Sequence, residues 1–237
     1  MEKKNTILLT VIAVATLLVA VVGATFAYFT ASTSTGDGRG DVTTGTATSI
    51  GSVVMDLQTI ADSNNMSYPG GMLLNGASVT ATVTGEGTFD ASYTINANVD
   101  ASALTSKNTT LNVTLYKTTS QISDAAVSGC ALQNGTAGEK VTYYYTGCTV
   151  PEGITTGQEV DSETITITAE GPKTATLTFD DSTTFNGITS ARATTAYYYL
   201  VVEYVNNAAA DQNDDMGKTV TATISNITNA ASTARQA

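Results

Sequence analysis

The residues able to do chemistry are few. Cys130 and Cys148 are the two cysteines, acidic residues gather in Asp211-Gln-Asn-Asp-Asp-Met-Gly217 and at Asp180-Asp181, and Arg39-Gly40-Asp41 has the form of an integrin-type tripeptide. Histidine is absent. That excludes Ser-His-Asp and Cys-His nucleophile pairs and any imidazole zinc ligand. Two cysteines cannot build a four-thiolate metal site or cluster. The run from Asp211 fails as an EF-hand: the sixth position, where glycine is required, is Met216, and the twelfth, where glutamate is required, is Ala222. A solvated turn between strands is the simpler reading, since Asn, Asp and Gly are ordinary turn formers. Glycosidase chemistry needs only two carboxylates, but no paired-acid motif is visible and there is no tryptophan to stack a sugar ring. We therefore expect no enzyme, no metal and no cofactor. With 10 basic and 21 acidic side chains and a formal charge of −11, the chain is also a poor partner for nucleic acid, whose phosphates are bound by Lys and Arg.

The cysteines are read through the chain's address. Lys3 and Lys4 precede a charge-free apolar run over residues 7–22, and Gly23-Ala-Thr-Phe-Ala27 is small and turn-prone. This is the order of a secretory signal, with the cut after Ala27, so that Tyr28 becomes the new N-terminus; a cut after Ala24 is the alternative. The same stretch is also long enough to remain as a membrane anchor. In an exported chain two cysteines most simply pair. Nothing cationic lies near either in sequence to activate a thiol, so Cys130 and Cys148 read as a staple.

The elements that position these residues are strands. By count 45 of the 237 residues are threonine and three are proline. Threonine is β-branched, favours extended backbone and keeps a strand face wet. Val79, Ala81 and Val83 alternate with threonine. So do Ile165 and Ile167, and Ala175, Leu177 and Phe179, with the period of two of half-buried strands. Further strands fall at residues 53–57, 93–99, 111–116, 141–146, 196–205 and 219–227. Turn signals lie at Pro69-Gly-Gly, Gly85-Glu-Gly, Gly171-Pro and Asn186-Gly. Eight or nine short strands predict an all-β sandwich, with at most one helical turn near residues 123–127. The chain divides into a signal or anchor helix (1–27), a flexible Thr/Ser/Gly-rich segment (28–50) and a sandwich domain (51–237).

One strand is apolar on both faces. Tyr198, Leu200, Val202 and Tyr204 form one side, and Tyr197, Tyr199, Val201 and Glu203 the other. Two readings stand: either the outer face is covered by another segment of the chain, or Tyr197, Tyr199 and Val201, with Tyr144, are contacts to a neighbouring subunit.

Three segments together resemble the TasA/camelysin family of exported β-sandwich proteins of Gram-positive bacteria. Gly23-Ala-Thr-Phe-Ala-Tyr-Phe-Thr30 is similar to a signal end cut by a SipW-type signal peptidase. Met66-Ser-Tyr-Pro-Gly70, followed by an alternating strand and Gly87-Thr-Phe-Asp-Ala-Ser-Tyr93, is similar to the family's Pro-Gly, strand, turn and tyrosine-strand pattern. Tyr198-Tyr-Leu-Val-Val-Glu-Tyr204 running through Asp211-Gln-Asn-Asp-Asp-Met-Gly-Lys218 resembles its closing hairpin. The resemblance implies a jelly-roll sandwich that polymerises into fibres of the extracellular biofilm matrix. The freed N-terminal segment of one subunit, here led by Tyr28 and Phe29, would add as a donor strand to the next. The implied partners are other copies of the chain, other matrix proteins and a signal peptidase, with the membrane touched only through the N-terminal segment. The protease activity in camelysin's name does not carry over to a chain without histidine. The alternative function is a monomeric surface adhesin or ligand-binding sandwich, retained on the membrane by an uncleaved helix and using loop tips such as Arg39–Asp41 or Asp211–Asp215.

Overall fold

Strand alternation governs the molecule. The computed structural model describes residues 40–42, 52–106, 109–137, 140–167, 174–179 and 185–234. The signal segment, the cut between Ala27 and Tyr28, Phe29, the turns expected at Gly171-Pro and Asp180-Asp181, and the residues on either side of Gly40–Val42 lie outside them. Among the described residues no helix is long and apolar enough to cross a membrane.

The strands are β1 (Gly40–Val42), β2 (Ser52–Asn65), β3 (Met72–Thr84), β4 (Phe89–Asp100), β5 (Thr109–Thr118), β6 (Ala131–Ala137), β7 (Lys140–Thr146), β8 (Gln158–Ile167), β9 (Thr174–Phe179), β10 (Phe185–Ile188), β11 (Thr194–Tyr204) and β12 (Thr221–Ala234). A short helix, α1 (Glu152–Thr155), precedes β8, and one turn of 3-10 helix spans Asn213–Asp215. The chain is all-β and antiparallel. One sheet runs β1-β2-β3-β11-β5-β8; the other has β4 at its centre, with β12 on one side and β10 and β9 on the other; β6 and β7 form a separate hairpin. β9 and β10 take successive lengths of β4, Ile95–Asp100 and then Phe89–Ala91, so they act as one interrupted strand. Asn186-Gly187, expected as a turn, lies inside β10. Gly187 has φ +67° and donates its N–H to Asp90 Oδ1, a bulge that irregular pairing with β4 accommodates.

The two sheets pack face to face. Val79, Ala81 and Val83 of β3 point inward while Thr82 and Thr84 face water. Tyr198, Leu200, Val202 and Tyr204 of β11 meet Phe89, Tyr93, Ile95 and Val99 of β4 in one continuous core. Each large side chain buried this completely contributes roughly 1.5–3 kcal/mol. The tyrosine hydroxyls are not stranded: those of Tyr93 and Tyr198 are 2.5 Å apart across the core, as burial of a phenol requires.

The second core lies on the opposite face of the six-stranded sheet. Leu74, Tyr199 and Ile154 are fully buried there, with Ile60, Tyr116, Ile122, Tyr197 and Val201 packed around them. Gly76 sits opposite Tyr199 in the β3–β11 register. A Cβ at Gly76 would stand 2.9 Å from that ring, so the missing side chain makes room for the tyrosine. From the connection between β5 and β8, Ile122, Ala125, Val127 and Ile154 pack over this face. Ile122 donates its N–H to the Tyr199 hydroxyl at 2.7 Å. The helical turn expected at 123–127 is only a turn at 123–124; the helix of this segment is α1.

Candidate functional site

The features singled out in the sequence converge on one end of the sandwich and one of its sides. The end is built from the turn at residues 66–71, the connection at 205–220 and the β6–β7 hairpin. Gly70 donates its N–H to Tyr204 O, Tyr204 to Gly71 O, Gly217 to Ser67 O and Tyr145 to Pro69 O. Two of the segments that carry the family resemblance therefore touch each other. Gly70 has φ +80°, and a Cβ there would stand 2.1 Å from the Tyr145 carbonyl oxygen. Only glycine allows both the turn and this approach of the hairpin.

Asp215 locks this end. It is 1% exposed, which corrects the solvated-turn reading at this residue. Its Oδ1 accepts the N–H groups of Thr105 (2.5 Å) and Ser106 (2.9 Å), and its Oδ2 accepts the hydroxyls of Tyr204 (2.8 Å) and Thr109 (2.9 Å). Burial pushes the carboxyl up, but the donors from Thr105, Ser106, Tyr204 and Thr109 outweigh it and hold it below the usual carboxylate range. The same environment, burial first, pushes the Tyr204 phenol well above its ordinary value. Asp211 and Asp214 remain exposed, and Asp211 pairs with Lys140 at the hairpin. No group of three or more His, Cys, Asp or Glu suited to a metal occurs among the described residues.

The hairpin is closed by the Cys130–Cys148 disulfide, with Cys130 directly before β6 and Cys148 one glycine beyond β7, their Cα atoms 4.2 Å apart. Ser128 and Thr149 pair just beyond it. An isolated two-stranded hairpin is marginal in water, and closing a loop of this length contributes about 3 kcal/mol. Leu132, Asn134 and Thr136 stand opposite Tyr145, Tyr143 and Val141 on one face. Leu132, Val141 and Tyr143 are 48%, 53% and 42% exposed, and they are the exposed large hydrophobic residues among the described part of the chain. Tyr68 packs edge-on against Tyr145 at 5.4 Å and lies tilted 6.5 Å from Tyr143. The alternation of Val141, Tyr143 and Tyr145 puts these three on one strand face, but nothing in the sequence marks that face as exposed or places Leu132 beside it.

The expected subunit contacts fall elsewhere. Tyr199 is fully buried under Ile122 and Ile154, and Tyr197 and Val201 are half-buried in the same cluster. The outer face of β11 is covered by the chain's own segment, so Tyr199 is no free surface for a neighbour. Tyr144 lines a hollow with Pro69, Asn206 and Gln212. Of Arg39-Gly40-Asp41, the glycine and aspartate are strand residues of β1, opposite Met55 and Val54; Arg39 is outside the described residues.

The side of the sandwich is defined by its edges. β8 pairs with β5 and β12 with β4, each leaving one edge without a strand among the described residues. β8 exposes Glu159, Asp161 and Glu163. β12 is 14 residues long, TATISNITNAASTA, and carries no charge. Near its start, the opposite sheet lends side chains: Asn75 Oδ1 accepts the Ile224 N–H and Asn64 donates to Val220 O. No protein-family model matches the chain, and no curated protein matches it.

Proposed function

We propose that the chain is a secreted structural subunit of the cell surface or biofilm matrix that polymerises into fibres by donor-strand addition, as its resemblance to the TasA/camelysin family implies. The observation that carries this reading is the long, uncharged edge of β12, which no strand meets among the described residues. Unpaired N–H and C=O groups along an edge are a template for another strand, and natural proteins guard such edges with charge unless they use them. The strand order supports a jelly roll with one strand displaced. β3-β11-β5-β8 follows the order of one jelly-roll sheet, and β12-β4 with β9 and β10 follows three of the four strands of the other. In a closed jelly roll the first long strand flanks the last; here β2 pairs with β3 instead. The place beside β12 is then the natural acceptor for a strand from outside, and the segment led by Tyr28-Phe29 is the donor. The cysteine staple and the wet threonine faces suit a chain that works outside the cell.

The test compares the secreted full chain with a chain beginning at Gly51, by electron microscopy and by mass spectrometry of the N-terminus. Filaments starting at Tyr28, and a monomeric truncated chain, are the expected results. Equal polymerisation by the truncated chain would sink the donor-strand reading.

A further inference from the structure

The exposed hairpin face and the register of β1 point to each other. β1 lies antiparallel to β2, with Gly40 opposite Met55, Asp41 opposite Val54 and Val42 opposite Val53. Each residue stepped back from Gly40 therefore advances one residue along β2 toward its C-terminal end. β2 carries one extra residue at its irregularity between Thr59 and Ala61. From Gly40 back to Tyr28 is twelve steps, a reach of about 40 Å at roughly 3.3 Å per extended residue. Nine steps along β2, with the extra residue passed over, lead from Met55 to its last residue, Asn65. The remaining three residues, Thr30, Phe29 and Tyr28, reach about 10 Å further, toward the 66–71 turn that holds Tyr68. Tyr68 is the residue whose ring joins the hairpin's apolar face through Tyr143 and Tyr145.

Composition matches length. Between Phe29 and Gly40 the arm reads Thr-Ala-Ser-Thr-Ser-Thr-Gly-Asp-Gly-Arg, without a large apolar side chain. Its aromatic pair is therefore its one apolar feature, and it falls where the described surface has its one cluster of exposed large apolar side chains, Leu132, Val141 and Tyr143. We propose that this hairpin face is an intramolecular docking site for the chain's own Tyr28-Phe29, reached by an arm that continues β1 along the outer edge of β2. The ligand class is an aromatic dipeptide in extended backbone. The seat is firm: the disulfide closes the hairpin, Gly70 lets it approach the 66–71 turn, and Lys140 ties it to Asp211. This inference stands on β1, the arm length, the patch and the cut after Ala27 that makes Tyr28 the end of the arm, independently of the fibre reading. It gives the arm a resting place in the single subunit.

The experiment places the photoreactive analogue p-benzoylphenylalanine at Phe29 of the full exported chain. The product is illuminated at a dilution where it sediments as a monomer, and cross-links are mapped by mass spectrometry on a mixture of light and heavy-isotope chains. The expected result is a cross-link within one chain to residues 66–70 or 131–146, reduced at least tenfold when Val141→Thr and Tyr143→Thr are combined. That variant keeps the disulfide, and native-like circular dichroism checks its fold. Cross-links within the chain to any other region would overturn the proposal. So would cross-links only between light and heavy chains, which would make a second copy the occupant. Filament formation is scored separately on the unmodified chain, so failure of the docking site and failure of the fibre reading are distinguishable.

Discussion

β8 and β12 are both edge strands of one sandwich, yet they are built on opposite principles. β8 exposes three carboxylates along ten residues, whereas β12 runs 14 residues without a charge. Charged side chains on an edge oppose pairing with a second chain, because the approaching strand must bury or repel them. An edge left uncharged over such a length invites pairing. The contrast extends inward. The carboxylates of β8 stand in solvent and stabilise little, while the carboxylate nearest the root of β12, Asp215, is buried and fully hydrogen-bonded. One edge spends its acidic residues on repulsion, and the other uses a single one to anchor the connection that delivers it.

Removing that anchor should have the largest effect. Asp215→Ala leaves the N–H groups of Thr105 and Ser106 and the hydroxyls of Tyr204 and Thr109 without their acceptor, a loss of about 3 kcal/mol. Urea unfolding of the disulfide-intact chain would measure it. The pH dependence has a definite sign. Because the folded carboxyl is held below its ordinary range, its contribution is fully present above that range and is lost as pH falls through the lowered folded value. The stability gap between the native chain and Asp215→Ala should therefore be constant near neutrality and close in acid. A gap independent of pH down to full carboxylate protonation would show that the ionised form has no special role.

How far the sequence foretells this arrangement depends on range. Alternation of threonine with Val and Ala is a local signal, so β3, β5 and the inner face of β11 are legible in the residues alone, as is the pairing of Cys130 with Cys148. β6 is not: Ala-Leu-Gln-Asn-Gly-Thr-Ala has weak strand propensity and is extended because β7 pairs with it above the disulfide. Asp215 reads as a turn residue because its partners Thr105, Ser106 and Thr109 are more than a hundred positions away. The covering of Tyr199 is equally hidden, since Ile122 and Ile154 come from a segment with no strand pattern of its own. The edge of β12 that no described strand meets depends on the placing of the other strands, and pattern within one strand carries no record of that.

Charging the open edge is the next test of the contrast. Thr223 and Thr233 are exposed on β12, so Thr223→Lys with Thr233→Lys should leave the fold intact. Strand addition should weaken about tenfold if each charge opposes pairing by somewhat under 1 kcal/mol. Filament mass after sedimentation, compared at equal concentration, reads the effect. Unchanged yield would mean that subunits join elsewhere.

The smallest effect should come from the reverse change. Glu159→Thr, Asp161→Thr and Glu163→Thr together give β8 the wet, uncharged threonine face common elsewhere in the chain. The side chains are exposed, so folding stability should change little. The edge itself remains short, and Val160 and Ile165 are only half-exposed, so little apolar surface becomes available to a partner. A gain of about threefold in lateral association, a few tenths of a kcal/mol for each position, is therefore the expected size, read by sedimentation velocity on chains beginning at Gly51, which lack the arm. If this change produced association as strong as that proposed for the native chain through β12, charge alone would distinguish the two edges. The smaller gain would instead show that length and the pairing of β2 with β3 rather than β12 contribute most of the difference. That outcome would separate an edge that is merely unguarded from one that the strand order has left waiting for a partner.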